Sequence, residues 1–123
     1  MPDTKFREAV SSLRSRVAGI KAIVLIAPDG VVLEYMTVDS RFDIGTFTAE
    51  YATLLRIARR TSEDTGSGEL SEHISVSDRT IVLARSFLTG FCLVLVSDTQ
   101  ALVGRARYEL KLAARLIERA MRK

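Results

Sequence analysis

Little in this chain could carry redox, metal or covalent chemistry. A single cysteine, Cys92, excludes an internal disulfide. A single histidine, His73, has no Cys or Glu beside it at ligand spacing, so its reading is structural and not that of a metal ligand or general base. The serines lack a nucleophile elbow with a matched His and Asp. The carboxylates fall at caps and turns, with no pair placed for acid–base work. No stretch has the spacing of a phosphate loop, zinc knuckle or dinucleotide fingerprint; the glycines of Thr65-Gly66-Ser67-Gly68 follow a predicted helix and open a strand, the reverse of the phosphate-loop order. No apolar run reaches the ~18 residues of a membrane span. The opening MPDTKFREAV has no apolar core of a signal peptide. With one cysteine, that favours the cytoplasm. These absences point to a binding module with no catalytic residue, no metal and no cofactor.

The 123 residues fit one domain, 1–123, around a single core. A hydrophobic fraction of 47% makes the chain globular and not disordered. The net charge of +3 is unevenly placed. From Ala101 onward the chain carries Arg105, Arg107, Lys111, Arg115, Arg119, Arg122 and Lys123 against Glu109 and Glu118. The basic character therefore belongs to the last helix, which weakens a general nucleic-acid inference. Only Tyr108 interleaves with these bases, so no stacking platform is supported. The face is either plainly solvated or an anion-binding surface for nucleic acid or acidic lipid.

Hydrophobic patterning sets the elements. A first helix is predicted over Thr4–Ala18, capped by Asp3 or Thr4, with Phe6, Val10, Leu13 and Val17 on its apolar stripe and Gly19 past its end. Ile20–Ala27 and Val31–Val38 read as a hairpin turning at Pro28-Asp29-Gly30. The first of these strands is apolar almost throughout, as in a strand covered on both faces. The second carries Glu34 and belongs nearer an edge. A second helix is predicted over Ile44–Ser62, capped by Asp43. Its core stripe is Ile44, Phe47, Tyr51, Leu54, Leu55 and Ala58. Three strands follow, Glu69–Val76, Thr80–Phe87 and Phe91–Ser97. In the first, Leu70, Glu72, Ile74 and Val76 share one face and Ser71, His73 and Ser75 the other. This polar strand reads as an edge, and FCLVLVS as central. A last helix over Ala101–Met121, capped by Asp98 or Thr99, has a core stripe of Leu102, Val103, Ala106, Leu110, Ala113, Ile117 and Ala120. Two central strands buried on both faces need helices on both faces. The expected fold is thus an α/β, three-layer α/β/α sandwich of α+β type with element order α-β-β-α-β-β-β-α. Its five-stranded antiparallel sheet has the order 2-1-5-4-3, with the first and last helices on one face and the second helix alone on the other.

The opposite face of the second helix holds Thr46, Ala49, Glu50, Thr53, Ile57 and Arg60. A solvated helix face usually carries more charge than this. Small residues beside an outward Ile57 suit another helix, most simply that of a symmetry mate. The third strand, with Glu72, His73, Ile74 and Ser75, is a second free surface, whose edge could pair through backbone bonds alone.

The element order, the apolar AIVLIAPDGVVLEY turning at Asp29-Gly30, the long second helix and the terminal GFCLVLVSD followed by an arginine-containing helix together resemble the Roadblock/dynein light chain (Roadblock/LC7) family, over about Phe6 to Met121. The resemblance implies a dimer of small domains, in which third strands pair edge to edge and second helices pack across the two-fold axis. It also implies a regulator or scaffold for a Ras-like small GTPase and not an enzyme: prokaryotic members bind the GTPase as dimers and help order its own catalytic residues. The residues above give the alternatives, an anionic-surface or nucleic-acid module using the last helix, or a small-molecule sensor with a pocket between sheet and helix.

Overall fold

A computed structural model describes residues 2–122, with side chains from residue 4. The hairpin strands β1 (Ile20–Ile26) and β2 (Val32–Thr37) are joined by a turn that Asp29 and Gly30 stabilise in different ways. The Asp29 carboxylate accepts the Val31 N–H at 3.1 Å, and Gly30 takes φ +90°, a conformation that favours glycine. Around the hairpin the chain adds α1 (Pro2–Arg16), α2 (Ile44–Asp64), β3 (Glu72–Val76), β4 (Ile81–Phe87), β5 (Phe91–Ser97) and α3 (Val103–Met121). The five strands form one antiparallel sheet in the order β2-β1-β5-β4-β3, as expected.

Burial explains the layering. β1 and β5 are buried along nearly their whole length because both of their faces are covered. One face packs Ile23, Leu25, Leu83, Leu93 and Leu95 against Phe6, Val10 and Leu13 of α1 and Ala106, Leu110 and Ile117 of α3. The other packs Ala22, Val24, Val94 and Val96 against Tyr51 and Leu55 of α2. The helices α1 and α3 therefore share one layer, and α2 lies alone on the other.

The structure corrects several local expectations. α1 begins at Pro2 and ends at Arg16, so Thr4 lies inside the helix and does not cap it; the Asp3 side chain, the other expected cap, lies outside the described residues, as does Lys123. Proline suits the first turn, where its missing N–H has no partner to lose. α3 starts at Val103 with Leu102 at its N-cap and no side-chain cap. Asp98 instead accepts the Gln100 N–H at 2.9 Å, closing a turn before the helix, and Leu102 is exposed and not core. Leu54 is also exposed, because only Tyr51 and Leu55 of α2 reach the fully buried layer. Glu69–Ser71 lie outside β3, and Leu70 packs on the α2 side, away from Glu72, Ile74 and Val76.

Candidate functional site

The two free surfaces meet at one margin of the molecule. α2 begins at an Asp43 cap whose carboxylate accepts the Thr46 N–H at 3.0 Å and the Thr46 hydroxyl at 2.7 Å. Those two bonds, the backbone one first, hold the Asp43 carboxyl below its usual range. With Tyr51 and Leu55 turned down onto the sheet, helical periodicity turns Thr46, Ala49, Glu50, Thr53, Ile57 and Arg60 to solvent, and all six are exposed. Ile57 stands 59% exposed, a large apolar side chain with nothing over it. Leu54, three residues before it, adds to the same flank.

β3 is the outermost strand and pairs only with β4, so its other edge has no strand beside it among the described residues. Register divides its side chains. His73 and Ser75 pair with Ala84 and Val82 on the α2 face; Glu72, Ile74 and Val76 pair with Arg85, Leu83 and Ile81 on the α3 face. Tyr51 of α2 reaches His73, with its hydroxyl 3.0 Å from Nδ1. Phe42, Phe47, Tyr51 and His73 form a run of aromatic contacts leading from the start of α2 to the edge strand. Burial raises the Tyr51 phenol far above its usual range, so it stays protonated and can donate a hydrogen bond to Nδ1 of the His73 tautomer that leaves this nitrogen free. The helix surface and the strand edge are thus tied together by a part-buried polar contact.

Glu72 is held from the other side. Arg107 of α3 grips its carboxylate with two bonds of 3.0 and 2.7 Å, and Arg85 approaches at 3.6 Å. The Arg107 bonds are the main reason the Glu72 carboxyl lies below its usual range. Its charge is therefore folded toward the helix layer, which leaves the edge without a free negative charge at that position. This pairing, and the Tyr51–His73 contact, escaped sequence reasoning because each joins residues far apart in the chain. Leu54 escaped it because the apolar stripe was read too wide; its signal was the spacing to Ile57.

Among the described residues, no group of three or more His, Cys, Asp or Glu could hold a metal, and no helix is long and apolar enough to cross a membrane. Cys92 is buried, and burial pushes its thiol up to about 11, the state of an unreactive core thiol. Two recesses against α2, one by Arg59 and Leu70 and one by the hairpin turn, measure about 120 and 30 Å³. Both are far below the ~300 Å³ of an ordinary ligand pocket, so neither recess on the α2 side has room for a sensor's ligand; larger hollows, of about 420 and 350 Å³, lie against α1.

Comparison with known proteins gives a consistent picture. Residues 7–97 match the family model described as the Roadblock/LC7 domain. No curated protein matches. Among solved structures, Myxococcus xanthus MglB superposes with a TM-score of 0.85 at 15% identity, over 97% of this chain and 89% of that one. A structure described as MglB with tetrameric arrangement superposes at 0.81 with 20% identity, over 98% and 93%. Myxococcus xanthus MglC superposes at 0.64 with 25% identity, over 94% and 98%.

Proposed function

The chain belongs to the Roadblock/LC7 domain family, and from that membership together with its two adjoining free surfaces we propose that it is a non-enzymatic dimeric regulator or scaffold for a Ras-like small GTPase. The observation that carries the dimer is the exposed, low-charge outer face of α2 beside an unpaired β3 edge. Pairing of two β3 edges would satisfy backbone groups that otherwise face water, and packing of two α2 faces would bury Ile57 and Leu54. The similar structure described as MglB with tetrameric arrangement supports reading this chain as self-associating. The GTPase would be bound on the α2 side of such a dimer and its own catalytic residues ordered there.

Sedimentation velocity tests the dimer. At about 50 micromolar the wild type should sediment as a dimer, and Ile57→Glu as a folded monomer whose melting temperature falls only by the stabilisation that association gives the wild type, since the mutated side chain is exposed in the single chain. A monomeric wild type at that concentration overturns the reading. Hydrolysis by a co-purifying small GTPase, followed with and without this protein, separates activator from scaffold.

A further inference from the structure

The two helical layers differ sharply in charge. α1 and α3 together carry nine basic and four acidic residues, whereas α2 carries three of each. Much of the positive charge on the α1–α3 layer has no carboxylate partner: among the described residues, Lys111, Arg115 and Arg119 make no ion pair. Between the two helices runs a groove of about 350 Å³ whose lining includes Ser12, Arg16, Leu112, Arg115, Leu116 and Arg119. Glu109, nearly buried at the same groove, lies 3.9 Å from Arg16 and draws that guanidinium toward it.

We propose that the α1–α3 layer docks on an anionic lipid bilayer, with lipid phosphates seated along this groove at Arg16, Arg115 and Arg119. Three features favour a bilayer as the occupant. The layer is a face of two adjacent helices and not a single projecting element that could enter a nucleic-acid groove. Its outer ridge mixes bases with exposed apolar groups, Tyr108 at 60% and Leu112 at 40%, a combination suited to the boundary between headgroups and acyl chains. The α1 side offers the small exposed residues Ser11, Ser12 and Ser15, which let phosphates approach closely. The charge asymmetry is a property of the single chain, so the inference goes beyond the GTPase reading and does not depend on it. In a dimer paired through β3 with both α2 helices on one side, the two basic layers would lie together on the other, leaving the α2 surface turned away from the membrane.

Co-sedimentation with vesicles tests this directly. The wild-type chain should partition onto vesicles of equal parts phosphatidylglycerol and phosphatidylcholine, not onto phosphatidylcholine alone, and added salt should release it. Each basic residue near such a surface contributes about fivefold, so Lys111→Glu with Arg115→Glu and Arg119→Glu should lower the partition coefficient on the order of a hundredfold or more. Arg56→Glu, on the α2 layer, should leave it within about twofold, because that residue faces away from the bilayer. The neutral pair Arg115→Gln with Arg119→Gln, which perturbs the fold less, should still lose tenfold or more, by the same arithmetic. Equal partition onto neutral vesicles, or indifference to the α3 substitutions in folded protein, overturns the proposal. So does tighter binding to a DNA duplex than to the anionic vesicles at the same salt, which would assign the face to nucleic acid.

Discussion

At the scale of single residues, polar side chains placed between elements do the connecting. Glu72 shows this best. Its carboxyl is depressed in the folded chain, mainly by the Arg107 hydrogen bonds, so the unfolded state binds a proton more readily. The stabilisation is therefore complete above the unfolded value of about 4.3 and is lost as pH falls through the lower folded value. Glu72→Gln should be less stable than wild type at pH 7, by at most about 1 kcal/mol for a pair so near the surface. The gap should close below about pH 4. Urea unfolding midpoints at several pH values read this out, and a gap that persists in acid would show that the ion pair is not its source. Tyr51 and His73 make the parallel connection on the opposite side of the sheet. Neither role could be seen by residue type alone: the sequence read Tyr51 as core, which is right, and His73 as structural, which its bond to Tyr51 explains.

At the scale of elements, the limits of the helices depend on local chemistry that the pattern shows only in part. Asp43 was legible as a cap because a short acidic side chain directly precedes an apolar-periodic run, and it caps α2 as expected. Asp98 had the same appearance and instead closes the turn to Gln100. A backbone bond from the Asp98 N–H to the Gly19 carbonyl, 2.8 Å long, fixes that turn against the end of α1. Gly19 is the partner that makes this close approach possible. Its φ is +74°, and a Cβ built there would run into the Asp98 carboxylate. Gly19→Ala should destabilise the chain by about 2 kcal/mol, from the left-handed backbone cost together with displacement of Asp98. Chemical denaturation measures it. A change within error would mean that Asp98 swings aside freely and that the α1–β1 turn relaxes. Along α2 the helical period placed Thr46, Ala49, Glu50, Thr53, Ile57 and Arg60 on the outer face, where they are exposed, while Leu54 fell on the wrong side of the boundary. Period gives direction around a helix; it does not give the width of the surface the sheet can cover.

At the scale of the whole molecule, the sheet presents two edges, and only one is proposed as an interface. β2 carries a register irregularity against β1 between Leu25 and Ile26, a feature that disturbs regular pairing along an edge. β3 pairs with β4 without such an irregularity over Glu72–Val76. Amide hydrogen exchange distinguishes the two. If β3 pairs with a second copy, the outward amides of β3 should become more protected as protein concentration rises, and those of β2 should not. Concentration-independent exchange at β3 would argue against edge pairing, even in a chain that dimerises through α2 alone. The charge asymmetry between the helical layers belongs to this scale too. The last helix was legible as basic, and it shares its layer with α1 as expected, but Arg107 proved to be committed to Glu72. Only the packing turns two separate basic helices into one face.

The amino-acid sequence by itself determined the element order, the two doubly covered strands and therefore the sheet order, because a strand apolar on both faces must be covered on both. It also determined that α2 has a face poor in charge. Tertiary structure alone decided which long-range partners polar groups find: Glu72 with Arg107, Tyr51 with His73, and Asp98 with Gly19. Periodicity follows from the geometry of one element and can be read along the chain. A hydrogen bond between elements needs a match of position and direction to within a fraction of an ångström, and that match exists only once the layers have packed.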